Sequence, residues 1–410
     1  DKLEAVGLDT MEACGDCPRV ILGSPVAGIS AAEIIDGTPA IEEIKRRFIG
    51  DESLANLPRK FKTAVSGAAH SDVVHEINDV SFVGVDHPEH GPGFDLWVGG
   101  GLSTNPKLAV RLGAWVPLAE VPDVWHGVVQ IFRDYGYRRL RHRARIKFLI
   151  ADWGPERFRT VLETEYLHRP LLDGPAPEID DTPRDHLGVH EQSDGAFYVG
   201  AATIAGRLSG ATLIAAADAA ERAGSRRVRT TVEQNLVVLD VPGERVEQLS
   251  AELDELDLRV APSPWRRSIM ACTGIEFCKL AIVETKARAI DVVAHLEKRL
   301  DDINNQLDTP ITLNLNGCPN ACARTQVSDI GLKGQIITDG DGNQVEGFQV
   351  HLGGGLGLDA GFGRKVRGLK VASTDIEDYV ERLVRHFVAK REEGERFSQW
   401  VARVDEEDLA

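Results

Sequence analysis

Cysteine is scarce in this chain of 410 residues, with 6 in total, and aromatic residues make up only 6% of it. So few cysteines exclude the dense disulfide framework of a small secreted protein. No apolar run reaches the roughly 18 residues that a membrane-spanning helix needs, because even the richest stretch, residues 211–220, contains Asp218. The N-terminus also lacks the basic and then apolar segments of a signal peptide. We therefore expect a cytoplasmic protein.

Positive charge is also in short supply. The chain has 47 Lys and Arg against 64 Asp and Glu, which gives a formal net charge of -17. This balance argues against binding nucleic acid through overall charge. With 42% hydrophobic and 27% charged residues, the composition excludes a chain that is disordered throughout. The length allows two or three domain-sized cores.

Two proline-containing stretches, residues 173–186 and 260–265, divide the chain into three parts. The first and third parts resemble each other, because GFDLWVGGGL at residues 93–102 recurs as GFQVHLGGGL at residues 347–356. The same comparison aligns Cys14 with Cys272. We therefore predict a duplicated α/β domain. Neither glycine run has the G-x-G-x-x-G spacing of a dinucleotide site, so we expect both to allow close backbone packing.

The middle part has a different pattern, a strand, an Ala-rich helix, a hairpin and a second helix. This β-α-β-β-α order is half of a ferredoxin-like α+β unit, whose open sheet edge requires a second half. These 410 residues contain no second half, so we expect an N-terminal portion of the protein to precede Asp1. The predicted domains are residues 1–176, 186–262 and 263–410.

Four of the cysteines form two pairs, one with C-x5-C and one with C-x3-C spacing. They are Cys272 with Cys278 and Cys318 with Cys322. Thiolates are ligands for both zinc and iron–sulfur clusters. Zinc ribbons generally use two C-x2-C pairs, so the spacing favours a cluster, with a structural zinc site as the alternative.

Local signals near these pairs predict where helices begin. The capping-box spacing of Thr273 and Glu276 predicts a helix from Thr273 with Cys278 in its early turns. Pro319 suits the first position of another helix beside the second pair. The positive ends of two helices would then face the sulfurs, which suits an anionic iron–sulfur cluster.

The motifs CTGIEFC and NGCPNACAR resemble the cluster signature of the sulfite and nitrite reductase family. The resemblance covers nearly the whole chain, and it implies an α+β fold in which two duplicated sirohaem-reductase domains flank the half ferredoxin-like unit. It also implies a [4Fe–4S] cluster bound by the four paired cysteines and coupled to a sirohaem. In that arrangement Cys322 also bridges to the sirohaem iron.

The segment LPRKFK, at residues 57–62, carries two lysines. On a strand that begins near Arg59, Lys60 and Lys62 would share one face. Two neighbouring ammonium groups favour a bound anion, although solvated lysines on an edge strand are the alternative. The resemblance implies that both lysines contact sulfite and that Arg19 completes the anion pocket. Related nitrite reductases tend to have Asn at the second lysine position, so Lys62 favours sulfite.

Sirohaem carries several carboxylates, so its binding requires cations despite the net acidity. Arginines and lysines cluster at residues 138–147 and 226–229. The alternative interpretations of these clusters are cofactor ligands, a solvated basic face and a ferredoxin-docking surface. The segment RTTVEQN resembles a family segment near the sirohaem. The predicted sirohaem contacts from these segments are Arg143, Arg145, Arg229, Thr231, Gln234 and Asn235.

Cys14 and Cys17 have C-x2-C spacing without a second pair of that kind. The resemblance implies a thioether between Cys14 and a tyrosine upstream of this sequence, and we expect Cys17 to be inert. Because no NADPH site is predicted, ferredoxin is the expected electron donor. The predicted function is that of a ferredoxin-dependent assimilatory sulfite reductase. The alternatives are a ferredoxin–nitrite reductase and a catalytically inactive iron–sulfur or zinc-binding module.

Overall fold

Two structural units make up the computed structural model, which describes residues 2–68, 72–178 and 185–410. Unit 1 comprises Asp1–Gly101 and Pro106–Arg184, and unit 2 comprises Leu102–Asn105 and Asp185–Ala410. Among the helices of the described residues, none combines the length and the hydropathy needed to cross a membrane.

Unit 1 is built on one mixed sheet with the strand order β1-β2-β3-β4-β5-β6. The strands are β1 (Pro18–Gly23), β2 (Phe61–Ser66), β3 (Val80–His87), β4 (Gly91–Val98), β5 (Val110–Val116) and β6 (Leu172–Asp173). The first three strands are parallel, and each later strand is antiparallel to its neighbour. The helices are α1 (Thr38–Phe48), α2 (Val121–Tyr135) and α3 (Ile146–Val161). Helix α1 provides the crossover that parallel β1 and β2 require.

The alternation of side chains along β2 positions the predicted anion-binding segment. Phe61 packs in the core with Trp125 and Phe132 of α2, and all three are fully buried. The Trp125 indole donates a hydrogen bond to Thr63 Oγ1 at 2.8 Å, so Thr63 also faces inward. Lys62 lies between these inward residues and is exposed. The period of two in a strand therefore places Lys62 on the outer face.

Unit 2 contains the predicted half ferredoxin-like sheet, with antiparallel strands in the order β7-β8-β10-β9. The elements are β7 (Gly188–Glu191), β8 (Phe197–Ala201), α4 (Gly210–Arg222), β9 (Val228–Thr230), β10 (Leu236–Val241) and α5 (Val246–Glu255). The β-α-β-β-α order is confirmed from β8 onward. Strand β7 is an addition that the sequence did not predict, because this exposed edge strand has no buried alternating face.

The second sheet of unit 2 has the order β11-β12-β13-β14-β15. Its strands are β11 (Ile269–Ala271), β12 (Leu313–Asn316), β13 (Ile330–Thr338), β14 (Gln344–Leu352) and β15 (Arg364–Ala372). The accompanying helices are α6 (Pro264–Ser268), α7 (Gly274–Phe277), α8 (Lys286–Arg299), α9 (Ile376–Lys390), α10 (Phe397–Arg403) and α11 (Glu406–Leu409).

The two mixed sheets share one topology, as the sequence repeat predicted. In each, the first three strands are parallel and the next two are antiparallel. Helices α1 and α8 follow the first strand of their sheets, and helices α2 and α9 follow the fifth. The duplicated α/β domain is therefore confirmed.

A glycine turn follows β4 and β14 at equivalent places. Gly100 donates its N–H to Asn78 O at 2.8 Å, and Gly354 donates its N–H to Ser328 O at 3.0 Å. A Cβ atom would lie 2.5 Å from a backbone oxygen at Gly100 and 2.6 Å from one at Gly354. Both turns thus have the close backbone packing that the sequence predicted for the glycine runs.

The strand registers correct one equivalence that the repeat suggested. Cys272 directly follows β11 and corresponds to Ser24, which directly follows β1, so the alignment of Cys14 with Cys272 is wrong. The corresponding cross-strand pairs are Thr63–Val80 with Leu313–Ile330 and Gly23–Val65 with Ala271–Leu315. The short Ala-Cys match was too little sequence to fix the register.

Unit 1 has a buried carboxylate beside Ser24. Asp72 accepts hydrogen bonds from Ser24 Oγ at 2.6 Å and from Ser66 Oγ at 2.7 Å. Counted from the equivalent residues Gly67 and Gly317, Asp72 occupies the position that Cys322 has in the second repeat. Two of the four paired cysteines therefore correspond to hydrogen-bonding residues in unit 1.

We expect Gly354→Ala to destabilise unit 2 by about 2–3 kcal/mol, since overpacking a tight site costs roughly this much. Its new methyl group would lie 2.6 Å from Gln326 O and 2.8 Å from Gly363 N. Urea unfolding measures the effect. The control is Gly340→Ala, because a Cβ at Gly340 has nothing within 4 Å. Equal unfolding midpoints for the two variants would contradict the close packing at this turn.

Candidate functional site

The carboxyl ends of β11 and β12 bring the two cysteine pairs together. These strands are parallel, so Cys272 and Cys318 follow them at the same edge of the sheet. Cys272 donates its N–H to Leu315 O at 3.0 Å, and Gly317 donates its N–H to Cys272 Sγ at 3.1 Å. An N–H···S bond of this kind stabilises the thiolate form of a ligand.

The segment between Cys272 and Cys278 differs from the prediction. Helix α7 is one turn long, Cys278 follows it, and the Thr273 side chain makes no capping bond. The Glu276 carboxylate instead forms an ion pair with Arg207. Gly274 has φ +64° and lies so close to Thr285 that a Cβ would be 2.5 Å from its Oγ1. The helix therefore begins after Thr273 as predicted, but it ends at Phe277, so the predicted place of Cys278 within its early turns is wrong.

The segment around Cys318 and Cys322 contains turns and no helix among its residues, all of which the structure describes. Ala321 has φ +54° and Arg324 has φ +58°, which a continuing α-helix does not allow. The helix that Pro319 suggested is therefore wrong. Proline restricts its own φ but does not supply the hydrogen bonds that extend a helix.

Asn316 holds this loop in place instead of a helix. It is fully buried at the end of β12. Its Nδ2 donates to Cys318 O, and its Oδ1 accepts the Ala323 N–H at 2.8 Å. One side chain thus connects the strand to both ends of the C-x3-C loop.

The spacing of the sulfurs distinguishes between the two metal sites that the sequence left open. With Zn–S bonds of about 2.3 Å, tetrahedral zinc holds its sulfurs about 3.8 Å apart. Among the described residues, the only group of three or more His, Cys, Asp or Glu whose ligand atoms lie within 4.8 Å of one another is His295, Asp378 and Glu381. The four cysteines do not form so compact a group, so the zinc alternative loses support.

Gln234 supports the strand that leads to Cys272. Its Nε2 donates to Ala271 O at 2.9 Å, and its Oε1 accepts the Ala271 N–H at 3.1 Å. Both amide atoms are therefore used on the edge of β11. Gln234 thus makes a positioning contact with β11, and its contact with sirohaem stays a prediction.

The other predicted residues of this hairpin lie beside Gln234. Thr231 is largely buried, and its Oγ1 accepts the N–H groups of Glu233 at 3.2 Å and Asn235 at 3.1 Å. Asn235 is 3% exposed, and its Oδ1 accepts the Thr203 N–H at 3.0 Å. Its buried Nδ2 has no hydrogen-bond partner in the described structure. Arg229 lies on β9 and is half-buried.

In unit 1 the predicted anion-binding residues lie at the amino ends of β1 and β2. Pro18 pairs with Phe61, and Phe61 donates its N–H to Cys17 O at 3.1 Å. The segment with Cys14 and Arg19 therefore runs beside the segment with Lys60 and Lys62. Lys60 is half-buried and directly precedes β2.

Asp79, which the sequence analysis did not single out, holds the start of β2. This carboxylate is fully buried and accepts the Lys62 N–H at 2.8 Å. Arg145 binds it through two hydrogen bonds, Nε to Oδ1 at 2.9 Å and Nη2 to Oδ2 at 2.7 Å. The repeat carried a signal for Asp79, because Asp329 occupies the same place before β13 and accepts the Thr312 N–H at 2.9 Å.

Several cations of the predicted basic cluster make contacts within unit 1. Arg145 pairs with Asp79, and Arg141 pairs with Asp16 at 2.7 Å, which holds the pKa of Asp16 below its usual range. Arg143 is exposed and lies over the ring of Phe148 at 5.6 Å. The two predicted sirohaem contacts here are Arg143 and Arg145, and Arg145 is the one that forms an ion pair with a carboxylate of the chain.

Arg19 forms hydrogen bonds with the loop that carries Cys14. Its Nη1 donates to Ala13 O and its Nη2 donates to Gly15 O at 2.7 Å, so it binds the loop on both sides of Cys14. Cys14 itself is exposed, and Cys17 is buried. Burial raises the pKa of the Cys17 thiol, which agrees with the expected inert role.

Comparison with known proteins assigns the chain to a family. The family described as nitrite and sulphite reductase 4Fe-4S domain matches residues 14–171 and again residues 264–410. The family described as nitrite/sulfite reductase ferredoxin-like half domain matches residues 190–256. The chain belongs to the nitrite and sulfite reductase family. Its two repeats and its middle part thus have the arrangement that the resemblance implied.

Individual members of this family are similar over most of their length. The sulfite reductase [ferredoxin] of Mycobacterium tuberculosis is 64% identical over 408 residues, which is 100% of this chain and 73% of that protein. The ferredoxin–nitrite reductase of Synechococcus elongatus is 38% identical over 94% of this chain and 75% of its own. The solved structure of the M. tuberculosis NirA protein superimposes with a TM-score of 0.97, covering 100% of this chain and 74% of that one.

The donor set in unit 2 fits the cluster that the family description names. Thiolates are the usual ligands of iron–sulfur clusters, and an N–H group is already directed at the Cys272 sulfur. The C-x3-C loop that Asn316 holds supplies the second pair of thiols. The residues present therefore suit an anionic iron–sulfur group.

We expect Asn316→Leu to lower the iron content of the purified protein well below that of the wild type. The substitution leaves Cys318 O and the Ala323 N–H unpaired in a buried loop, at a cost of about 1–3 kcal/mol for each group. Iron and acid-labile sulfide per chain measure the effect. The control is Asn314→Leu, which lies two residues earlier on the same strand. Equal iron in both variants would contradict the role of Asn316.

Proposed function

We propose that this protein is a ferredoxin-dependent sulfite reductase, which reduces sulfite to sulfide with six electrons. The observation that carries this proposal is the 64% identity over the whole chain with the M. tuberculosis sulfite reductase [ferredoxin]. The sequence motifs predict the same function. Ferredoxin is the proposed electron donor, and the cytoplasm is the proposed location.

We assign the cluster to Cys272, Cys278, Cys318 and Cys322. The support is their common place at the carboxyl ends of β11 and β12 and the N–H···S bond from Gly317. When bound, the [4Fe–4S] cluster and the coupled sirohaem supply the electrons for the reduction. Cys322 is exposed at the end of its loop, as a bridging ligand would need to be.

The lysines of unit 1 bind the substrate oxyanion in this proposal. Lys62 projects from the outer face of β2, and Asp79 fixes its backbone through the Lys62 N–H. The ammonium groups of Lys60 and Lys62 hold the sulfite oxygens and donate protons as these leave as water. Arg19 acts on the same site by holding the loop of Cys14, whose predicted thioether remains a prediction.

The sirohaem carboxylates require donors and cations from the chain. Asn235 offers a buried Nδ2 without a hydrogen-bond partner among the described residues, which suits an acceptor brought by a cofactor. Arg143 is exposed and Arg229 is half-buried, and both remain predicted contacts. Arg145 and Gln234 act by positioning Asp79 and Ala271.

Nitrite reduction is the second candidate, because the Synechococcus elongatus ferredoxin–nitrite reductase is 38% identical over 392 residues. Parallel assays of sulfite and nitrite with reduced ferredoxin or methyl viologen separate the two. We expect turnover of sulfite. Turnover of nitrite alone would overturn the assignment, and a purified protein without the visible absorption of sirohaem would favour the inactive binding module.

We expect Lys62→Asn to lower kcat/KM for sulfite by about tenfold or more, because a charge-assisted hydrogen bond contributes about 1.5–3 kcal/mol. The visible spectrum should stay as in the wild type, since the Lys62 N–H bond to Asp79 is retained. The control is Lys45→Asn, which removes a lysine that is 66% exposed on the surface of unit 1. Wild-type sulfite kinetics in Lys62→Asn would contradict the anion site.

A further inference from the structure

Lys286 is a buried lysine of unit 2 whose position is energetically costly. It is only 8% exposed. It is the first residue of helix α8, where the positive end of the helix dipole disfavours a cation. The hydrogen bond that the described residues give its ammonium is to the carbonyl oxygen of Ala205, which carries no full charge.

Another cation with the same burial, Arg266, has carboxylate partners. Arg266, also 8% exposed, pairs with Asp257 at 2.8 Å and Glu297 at 3.2 Å. Lys286 forms no ion pair with any described carboxylate. Its neighbour Glu284 uses its carboxylate to accept the N–H groups of Thr285 and Ala287 at 2.9 and 3.2 Å. A buried charge persists where a counter-charge compensates it, so Lys286 requires an anion of another kind.

Burial lowers the pKa of the Lys286 ammonium, so a nearby anion would favour its charged form. Cys272, the proposed cluster ligand, lies against the start of α8, because Thr285, the residue before Lys286, donates its hydroxyl to Cys272 O at 2.7 Å. Thr285 Oγ1 also lies 3.8 Å from Cys272 Sγ. The start of α8 is therefore packed directly against this cysteine.

We propose that Lys286 is the buried counter-cation of the iron–sulfur cluster and raises its reduction potential. This inference rests on the proposed assignment of Cys272 as a cluster ligand. One-electron reduction would add one negative charge to a cluster bound through Cys272. A fixed positive charge nearby favours that reduced state, and it does so strongly where water is excluded. A bound cluster would in turn provide the negative counter-charge for Lys286 that no described carboxylate provides.

The test is the midpoint potential of the cluster in the holoenzyme, measured by a redox titration followed by electron paramagnetic resonance. Lys286→Met removes the charge and keeps a long apolar side chain. We expect the equilibrium constant for one-electron reduction to fall about tenfold, which corresponds to a potential about 59 mV lower. Lys286→Arg, which keeps the charge, should stay close to the wild type.

The matched control is Lys279→Met. Lys279 directly follows Cys278 and is exposed, so water and salt screen its charge. We expect less than a twofold change in the same equilibrium constant. An unchanged potential in Lys286→Met, or equal shifts in Lys286→Met and Lys279→Met, would overturn the proposal.

Loss of the cluster from Lys286→Met would also be informative. In that case the iron content of Lys286→Arg decides, because a counter-cation of either type should retain the cluster, whereas loss of iron from both variants would refute the charge role. Failure of the proposed function is separate. It would appear as the absence of a cluster signal in the wild type, whereas failure of this inference leaves that signal and an unmoved potential.

Discussion

Parallel pairing of short strands determines where the chemistry-bearing side chains of this protein lie. In unit 2, the carboxyl ends of β11 and β12 place Cys272 and Cys318 at one edge. In unit 1, the amino ends of β1 and β2 place the Cys14 loop beside Lys60 and Lys62. The equivalent strand pairs of the two repeats thus carry different predicted sites, one at the carboxyl ends and the other at the amino ends. Loops at both ends are held by buried polar side chains, and helix termini contribute little.

Buried and half-buried polar residues support the loops of both proposed sites. Asp79 accepts the Lys62 N–H, and Asn316 spans the C-x3-C loop. Gln234 satisfies both backbone groups of Ala271 on the edge of β11. Each of these side chains forms hydrogen bonds with backbone groups that no helix or sheet neighbour pairs. Leaving such a buried polar group unpaired would lower the free energy of unfolding. Precision at the sites therefore depends on residues that never touch a substrate.

The parts of the fold that hydrophobic periodicity and repetition encode could be predicted from the sequence. The duplication was visible because both copies kept the glycine turn, whose packing leaves no room for a side chain. The helix at Thr273 is shorter than predicted and the helix at Pro319 is absent, because capping signals describe only a local preference. Gly274 packs closely against Thr285, and Ala321 and Arg324 have positive φ angles. No sequence pattern predicted a role for Asp79 or Lys286, because their roles depend on contacts with residues distant in sequence. The predicted ligand and substrate residues remain predictions, while the two lysines and the two cysteine pairs do occupy coherent places within their units.

The net charge of the chain does not describe the local surroundings of its individual cations. The chain carries -17 overall, yet some of its arginines are buried or half-buried, Arg145 and Arg266 among them. Many are neutralised locally, as Arg145 is by Asp79. In the proposed anion site, the backbone of Lys62 is fixed by Asp79 while its side chain faces outward.

The hydrogen bonds of Ser24 and Ser66 to Asp72 bear on how the two repeats diverged. The positions of Ser24 and Asp72 correspond to Cys272 and Cys322 in the second repeat. In unit 1 the chain itself links these two positions through a hydrogen bond. In unit 2 the proposed cluster would link them instead, so the same place in the fold can be joined by a proton or by iron and sulfide.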